Sequence, residues 1–171
     1  MTEGLQLRDL NGSDPDAIAA AFQRIGWLKP PAQFHRYLAE QASRTRTCWV
    51  ADLSGAFAGY VTVNWKPEYP LFAEQSIPEI QDLNVLPSFR RRGIGTALLD
   101  HAEAQIARVS ASAGISVGLH PGYNAAQRLY GKRGYIPDGQ GVTYRGSHVH
   151  EGQQVVVDDD LLLHMIKRAL P

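Results

Sequence analysis

Arg90-Arg91-Arg92-Gly93-Ile94-Gly95 is the stretch of this chain whose residue types and spacing most directly imply chemistry. It follows a strand-like run, Ile80–Val85, and opens a segment with Ile94, Leu98, Ala102, Ile106 and Val109 at helical spacing. The local reading is strand, glycine turn, helix. Gly93 and Gly95 lack Cβ atoms, so a ligand can come close to the backbone of the turn. The first N–H groups of a helix have no intrahelical partner and carry the positive end of its dipole. Such a site suits a phosphate or pyrophosphate. The three arginines add charge, and a good charge-assisted hydrogen bond contributes ~1.5–3 kcal/mol. A tight turn with a solvated basic run is the structural alternative.

Two phosphate motifs are absent. No Gly-x-x-x-x-Gly-Lys-Ser/Thr string occurs. After Gly93-Ile94-Gly95 the third position of a dinucleotide fingerprint is Leu98, and the turn does not follow an N-terminal strand. The pattern that fits is Arg/Gln-x-x-Gly-x-Gly, an acyl-CoA motif, met by Arg90, Gly93 and Gly95. Downstream, in matching order, lies Asn124-Ala-Ala-Gln-Arg-Leu-Tyr130-Gly-Lys-Arg-Gly-Tyr135. On these two segments the chain resembles the GNAT superfamily of N-acetyltransferases over nearly its whole length.

The resemblance implies acetyl-CoA as acyl donor and a site assigned residue by residue. Backbone groups of Leu83 and Val85 would bond the pantetheine arm like an added strand. Backbone amides of Arg91, Arg92, Gly93, Ile94, Gly95 and Thr96 would hold the pyrophosphate, with Arg90 or Arg91 near the outer phosphates. Asn124 would contact the pantetheine or the nearby backbone. Tyr130 stands where the family commonly places the acid that protonates the leaving thiolate; a core aromatic is its plainer role. For the base there are three candidates: Glu79, Asp82, and an ordered water held by backbone carbonyls. Strand alternation sets Glu79 and Asp82 on opposite faces unless a bulge intervenes.

Acyl transfer from a thioester needs a neutral amine, a stabilised oxyanion and a protonated thiol. An alkylamine like that of lysine has a pKa of ~10.4 and must lose a proton, whereas a thiol near ~8.5 leaves more readily. The N–H of Val85 could donate to the oxyanion. Direct transfer in a ternary complex requires no covalent intermediate, and Cys48 reads as a buried structural thiol.

The elements that must position these residues follow from pattern. Leu5, Leu7 and Leu10 mark a first strand. Ser13 or Asp14 caps a helix through Ala17–Phe22 that closes near Gly26, and Ala32–Ala42 forms a second. Thr47–Ala51 and Gly59–Trp65 pair through a Ser54-Gly55 hairpin, and Lys66–Pro78 is a loop. Ile115–Leu119 is a fifth strand; Asn124 caps a short helix with Gly134 at C′. Val142–Tyr144 and Leu161–Ile166 close the chain. This order implies an α/β fold, a mixed and mostly antiparallel sheet of about seven strands with helices on both faces. The resemblance adds splayed fourth and fifth strands.

The 171 residues suggest one domain, 1–171. With 17 basic and 17 acidic side chains the net charge is zero, which argues against a nucleic-acid or membrane-surface binder. No signal-peptide pattern and no apolar run of ~18 residues occurs, so the expected location is cytoplasmic. No metal is expected: one cysteine excludes multi-cysteine sites, and His148 and His150 lack further ligands. Trp27, Trp65, Tyr69, Phe72, Glu68, Glu74, His148, His150 and Asp158–Asp160 are candidate acceptor walls, and aromatics with carboxylates suit a small cationic amine. A protein amine as acceptor, and a non-catalytic acyl-CoA sensor, are the alternatives. A homodimer through the C-terminal strands is compatible with the sequence but not demanded by it.

Overall fold

The computed structural model describes residues 3–170. In chain order the elements are β1 (Leu5–Asp9), α1 (Asp14–Gln23), α2 (Pro31–Ala42), β2 (Arg46–Leu53), β3 (Ala56–Asn64), α3 (Pro70–Glu74), β4 (Glu79–Val85), α4 (Ile94–Ala107), β5 (Ser112–Gly118), α5 (Asn124–Lys132), β6 (Ile136–Tyr144), β7 (Ser147–His148) and β8 (Leu161–Arg168). The fold is α/β. The residues fall into two compact units, one comprising residues up to 66 and 80–105, the other 67–79 and those from 106 on.

In the first unit the strand order is β1-β2-β3-β4. β1 pairs antiparallel with β2, and β2 with β3 through a turn whose residues Ser54 and Gly55 both take positive φ, +51° and +80°. That is the primed geometry matching the twist of a hairpin. Alternation along β2 sorts the two faces. Cys48 and Val50 join Leu10, Ile18, Phe22, Phe34 and Tyr60 under α1 and α2. Trp49 points the other way, its ring 5.0 Å from His101 of α4. The start of α1 is held by Asp14 rather than Ser13. The Asp14 carboxylate takes two bonds from Arg8, both 2.8 Å, and one from Asn11 N–H at 2.7 Å, while Ser13 makes no side-chain cap.

Gly59 of β3 lets β4 approach closely. A Cβ added there would drive into the carbonyl oxygen of Asn84 and crowd Val85 Cα. Because backbone cannot swing aside, Gly59→Ala is expected to destabilise the fold by about 2 kcal/mol. Urea unfolding of the two proteins checks this; an unchanged midpoint would refute it.

The second unit has the order β5-β8-β6-β7 with antiparallel pairs. Details of the expected elements change here. The Lys66–Pro78 loop contains α3, because Pro70 opens a helical turn and Phe72 is fully buried against Gly114 of β5. The described residues form eight strands, consistent with about seven: β6 starts at Ile136, and a second hairpin turns at Arg145-Gly146, with φ of +50° and +79°, into the short β7. Val109 lies beyond the end of α4 and is 72% exposed rather than on its apolar face. α5 ends as expected: Gly134 takes φ +86° and Tyr135 N–H bonds Tyr130 O at 3.1 Å, a glycine C′ closure. Its start differs. Asn124 is the first helical residue after a 3₁₀ turn at Pro121–Tyr123, not a side-chain cap.

Candidate active site

In the first unit, β4 runs through a 3₁₀ turn, Pro87–Phe89, into the glycine-rich segment. Arg91 and Gly93 take φ of +60° and +75°, so the chain twists sharply twice before α4 begins. Turns of this kind gather N–H groups into concavities that bind anions. Ile94 anchors the helix in the core with Leu98, Ala102 and Ile106, while residues 90–93 and Thr96 stay exposed. Gly95 lies against Val85 Cγ2. Arg90 Nε donates to Val85 O at 3.2 Å, and the Arg90 guanidinium stands 5.3 Å over the Trp27 ring. Arg92 sits 5.8 Å over Phe89. Arg90 and Arg92 thus each rest a guanidinium against a neighbouring ring while staying exposed to solvent.

β4 itself is kinked. Asp82 takes φ +52°, uncommon for a residue with a side chain, so the regular alternation is interrupted between Glu79 and Val85. Leu83 and Val85 are half-buried. The Asp82 carboxylate accepts from Lys29, Gln33, Tyr37, Tyr60 and Asn84. Burial alone would raise its pKa. The Lys29 charge and the bonds from Lys29, Tyr60 and Tyr37 outweigh that and hold it below the usual carboxylate range. The Cys48 thiol is buried and pushed up by desolvation, as befits an inert core residue.

In the second unit Glu79 is only 3% exposed, and Ser116 Oγ donates to its Oε1 at 3.3 Å. Tyr130 is buried on α5 with its ring 6.1 Å from that of Tyr135. Burial, with a smaller contribution from Tyr123, pushes its pKa well up, so the hydroxyl keeps its proton at neutral pH. Asn124 is exposed at the first turn of the same helix.

A polar cluster that sequence reasoning only partly found lies close by in this unit. His164 of β8 stacks flat on Tyr69, centroids 3.7 Å apart, and its Nε2 is 2.9 Å from Thr143 Oγ1. Tyr69 OH donates to Asp138 at 2.6 Å. Ser116, which bonds Glu79, is the cross-strand partner of His164. The signal for His164 was one polar residue within Leu-Leu-Leu-His-Met-Ile; the pairing that gives it meaning is tertiary. Burial lowers its pKa to about 4, against the opposing Asp138 carboxylate and with help from His148. An unfolded histidine titrates near ~6.5, so protons favour the unfolded chain below that value. Stability is expected to fall by up to about 3 kcal/mol as pH drops from ~6.5 to ~4. His164→Phe, which keeps a ring against Tyr69, should flatten that dependence in urea titrations. A wild-type profile flat over this window would contradict it.

Of the suggested acceptor walls, Phe72 is core, Trp65 Nε1 bonds Thr47 at 2.9 Å, and the Asp158–Asp160 run pairs with Tyr144, His120 and Arg145. Among the described residues no group of three His, Cys, Asp or Glu could hold a metal ion, and no helix is long and apolar enough to cross a membrane.

Residues 15–135 match the model of the acetyltransferase (GNAT) family. The chain belongs to that family. Solved structures agree on the fold. An acetyltransferase of the GNAT family from Streptococcus pneumoniae is 21% identical, TM-score 0.65, over 96% of this chain and 99% of that one. An N-acetyltransferase from Staphylococcus aureus is 16% identical, TM-score 0.71, over 96% and 98%. Arabidopsis thaliana NAA60, in complex with acetyl-CoA, is 18% identical, TM-score 0.67, over 96% and 98%. No curated protein matches the chain.

Proposed function

We propose that the protein moves the acetyl group of acetyl-CoA to a primary amine of a small cationic molecule, by direct transfer in a ternary complex. The observation that carries this reading is the turn Arg90–Gly95, exposed at residues 90–93, with φ of +60° and +75° at Arg91 and Gly93, at the start of α4. Amides of residues 91–96 hold the pyrophosphate there, with Arg90 or Arg91 at the outer phosphates. Main-chain groups of Leu83 and Val85 take the pantetheine arm, and Asn124 contacts it.

Glu79 removes a proton from the incoming ammonium. The amine lone pair then forms the C–N bond and the oxyanion takes a hydrogen bond from Val85 N–H. As the intermediate collapses the C–S bond breaks, Tyr130 gives its proton to the departing thiolate, and the second proton of the attacking nitrogen, released as the amide forms, returns Tyr130 to its protonated state by way of solvent. Glu79 is preferred to Asp82 because five donors already occupy the Asp82 oxygens and favour its charged form. The small cationic acceptor is supported by the exposed carboxylates Glu68 and Glu74.

Thermal shift with acetyl-CoA and CoA, followed by thiol release with pooled amines, tests the proposal. A ligand at ~100 times its Kd adds about 2.7 kcal/mol of stability. A shift with amine-dependent release supports the transferase. A shift without release across small amines and peptides favours an acyl-CoA sensor, release with peptides alone a protein acceptor, and no shift rejects the donor site.

A further inference from the structure

We propose that Asp82 is a positioning residue: its carboxylate, gripped from four parts of the chain, sets the kink in β4 that aims the main-chain groups of Leu83 and Val85. The inference rests on the assignment of those groups to the acyl donor. Lys29 Nζ and Asn84 Nδ2 bond Oδ1 at 2.6 and 2.8 Å; Gln33 Nε2, Tyr37 OH and Tyr60 OH bond Oδ2 at 2.6, 2.8 and 2.5 Å. A carboxylate offers about four lone-pair sites, so these donors saturate it. Asn84 also bends back to Asp82 O at 3.3 Å, closing a small ring across the kink.

The donors are themselves fixed. Tyr60 is fully buried, edge-on to Phe22 and Phe34 with centroids 5.9 and 5.3 Å away. Tyr37 packs on Phe34 and lies beneath the Arg46 guanidinium at 5.0 Å, and Gln33 bonds Tyr37 at 3.0 Å. Arg46 in turn holds Gln81 and Thr62, both at 2.8 Å, and pairs with Glu40. The left-handed backbone at Asp82 is therefore over-determined by a rigid core, the condition under which such strain persists. Only Lys29 comes from a loop. Glycine or asparagine would take φ +52° at lower cost, but neither balances the Lys29 ammonium or accepts from every donor. The residue type answers the donors, not the turn.

Asp82→Asn separates positioning from proton transfer, because asparagine tolerates the left-handed conformation while losing the charge. Acetyl-CoA Kd by calorimetry and its KM are expected to rise about tenfold and kcat to fall by a similar factor, the scale of a sub-ångström misplacement. The acidic limb of the pH–rate profile should stay where it is in the wild type, and amide exchange at residues 83–85 should quicken. Adding Lys29→Met, which removes the uncompensated ammonium, should restore part of the Tm but not the affinity. Affinity within twofold of wild type, or a displaced acidic limb with unchanged affinity, overturns the inference. Should the variant fail to fold, Tyr37→Phe and Gln33→Ala keep the Lys29 pair and carry the test. Each should weaken acetyl-CoA about threefold, and wild-type affinity in both overturns it. A wild-type protein that does not bind acetyl-CoA removes the donor assignment itself, a result distinct from all of these.

Discussion

Tyr130→Phe is expected to lower turnover about 10²-fold while leaving acetyl-CoA affinity within twofold of wild type. The substitution deletes one hydroxyl and keeps the ring that packs beside Tyr135, so the helix and its glycine closure should persist. Burial holds the Tyr130 proton in place well past neutral pH, which suits an acid and disqualifies a base. The loss should be the same at every pH where the enzyme is stable, because the hydroxyl does not titrate there. Single-turnover thiol release paired with calorimetry checks both halves. Turnover equal to wild type across the pH range would return Tyr130 to the role of a core aromatic.

Glu79→Gln should cost at least as much, about 10²-fold or more near neutral pH. Glutamine keeps the shape of a side chain only 3% exposed and still accepts the bond from Ser116, but it cannot take a proton. The acidic limb of the pH–rate profile should vanish with it. Asp82→Asn supplies the contrast: a limb that moves there and not in Glu79→Gln would make Asp82 the base despite its five donors. If neither substitution moves the limb, a water held by backbone carbonyls is left as the proton acceptor. Raising the pH should partly rescue Glu79→Gln, since more of the amine is then already neutral.

What the sequence by itself determined is whatever local chemistry controls. The glycine turn into α4, the Ser54-Gly55 hairpin and the Gly134 closure each depend on residues within a few positions, and each stands where their types placed it. The family was legible for the same reason, because Arg90–Gly95 and Asn124–Tyr135 are contiguous strings whose spacing is set by one turn and one helix. The α3 turn was hidden because five residues carry no periodicity, and what holds it is Phe72 filling the space left by Gly114 of β5. The Arg145-Gly146 hairpin was missed because arginine rarely announces a positive φ. Only the tertiary structure decided the fates of the two acidic candidates. Asp82 meets donors from α2, β3 and the loop before α2, up to 53 residues away in sequence, whereas Glu79 meets Ser116 of β5. A carboxylate's chemistry is set by the charges and donors around it, and long-range packing chooses those.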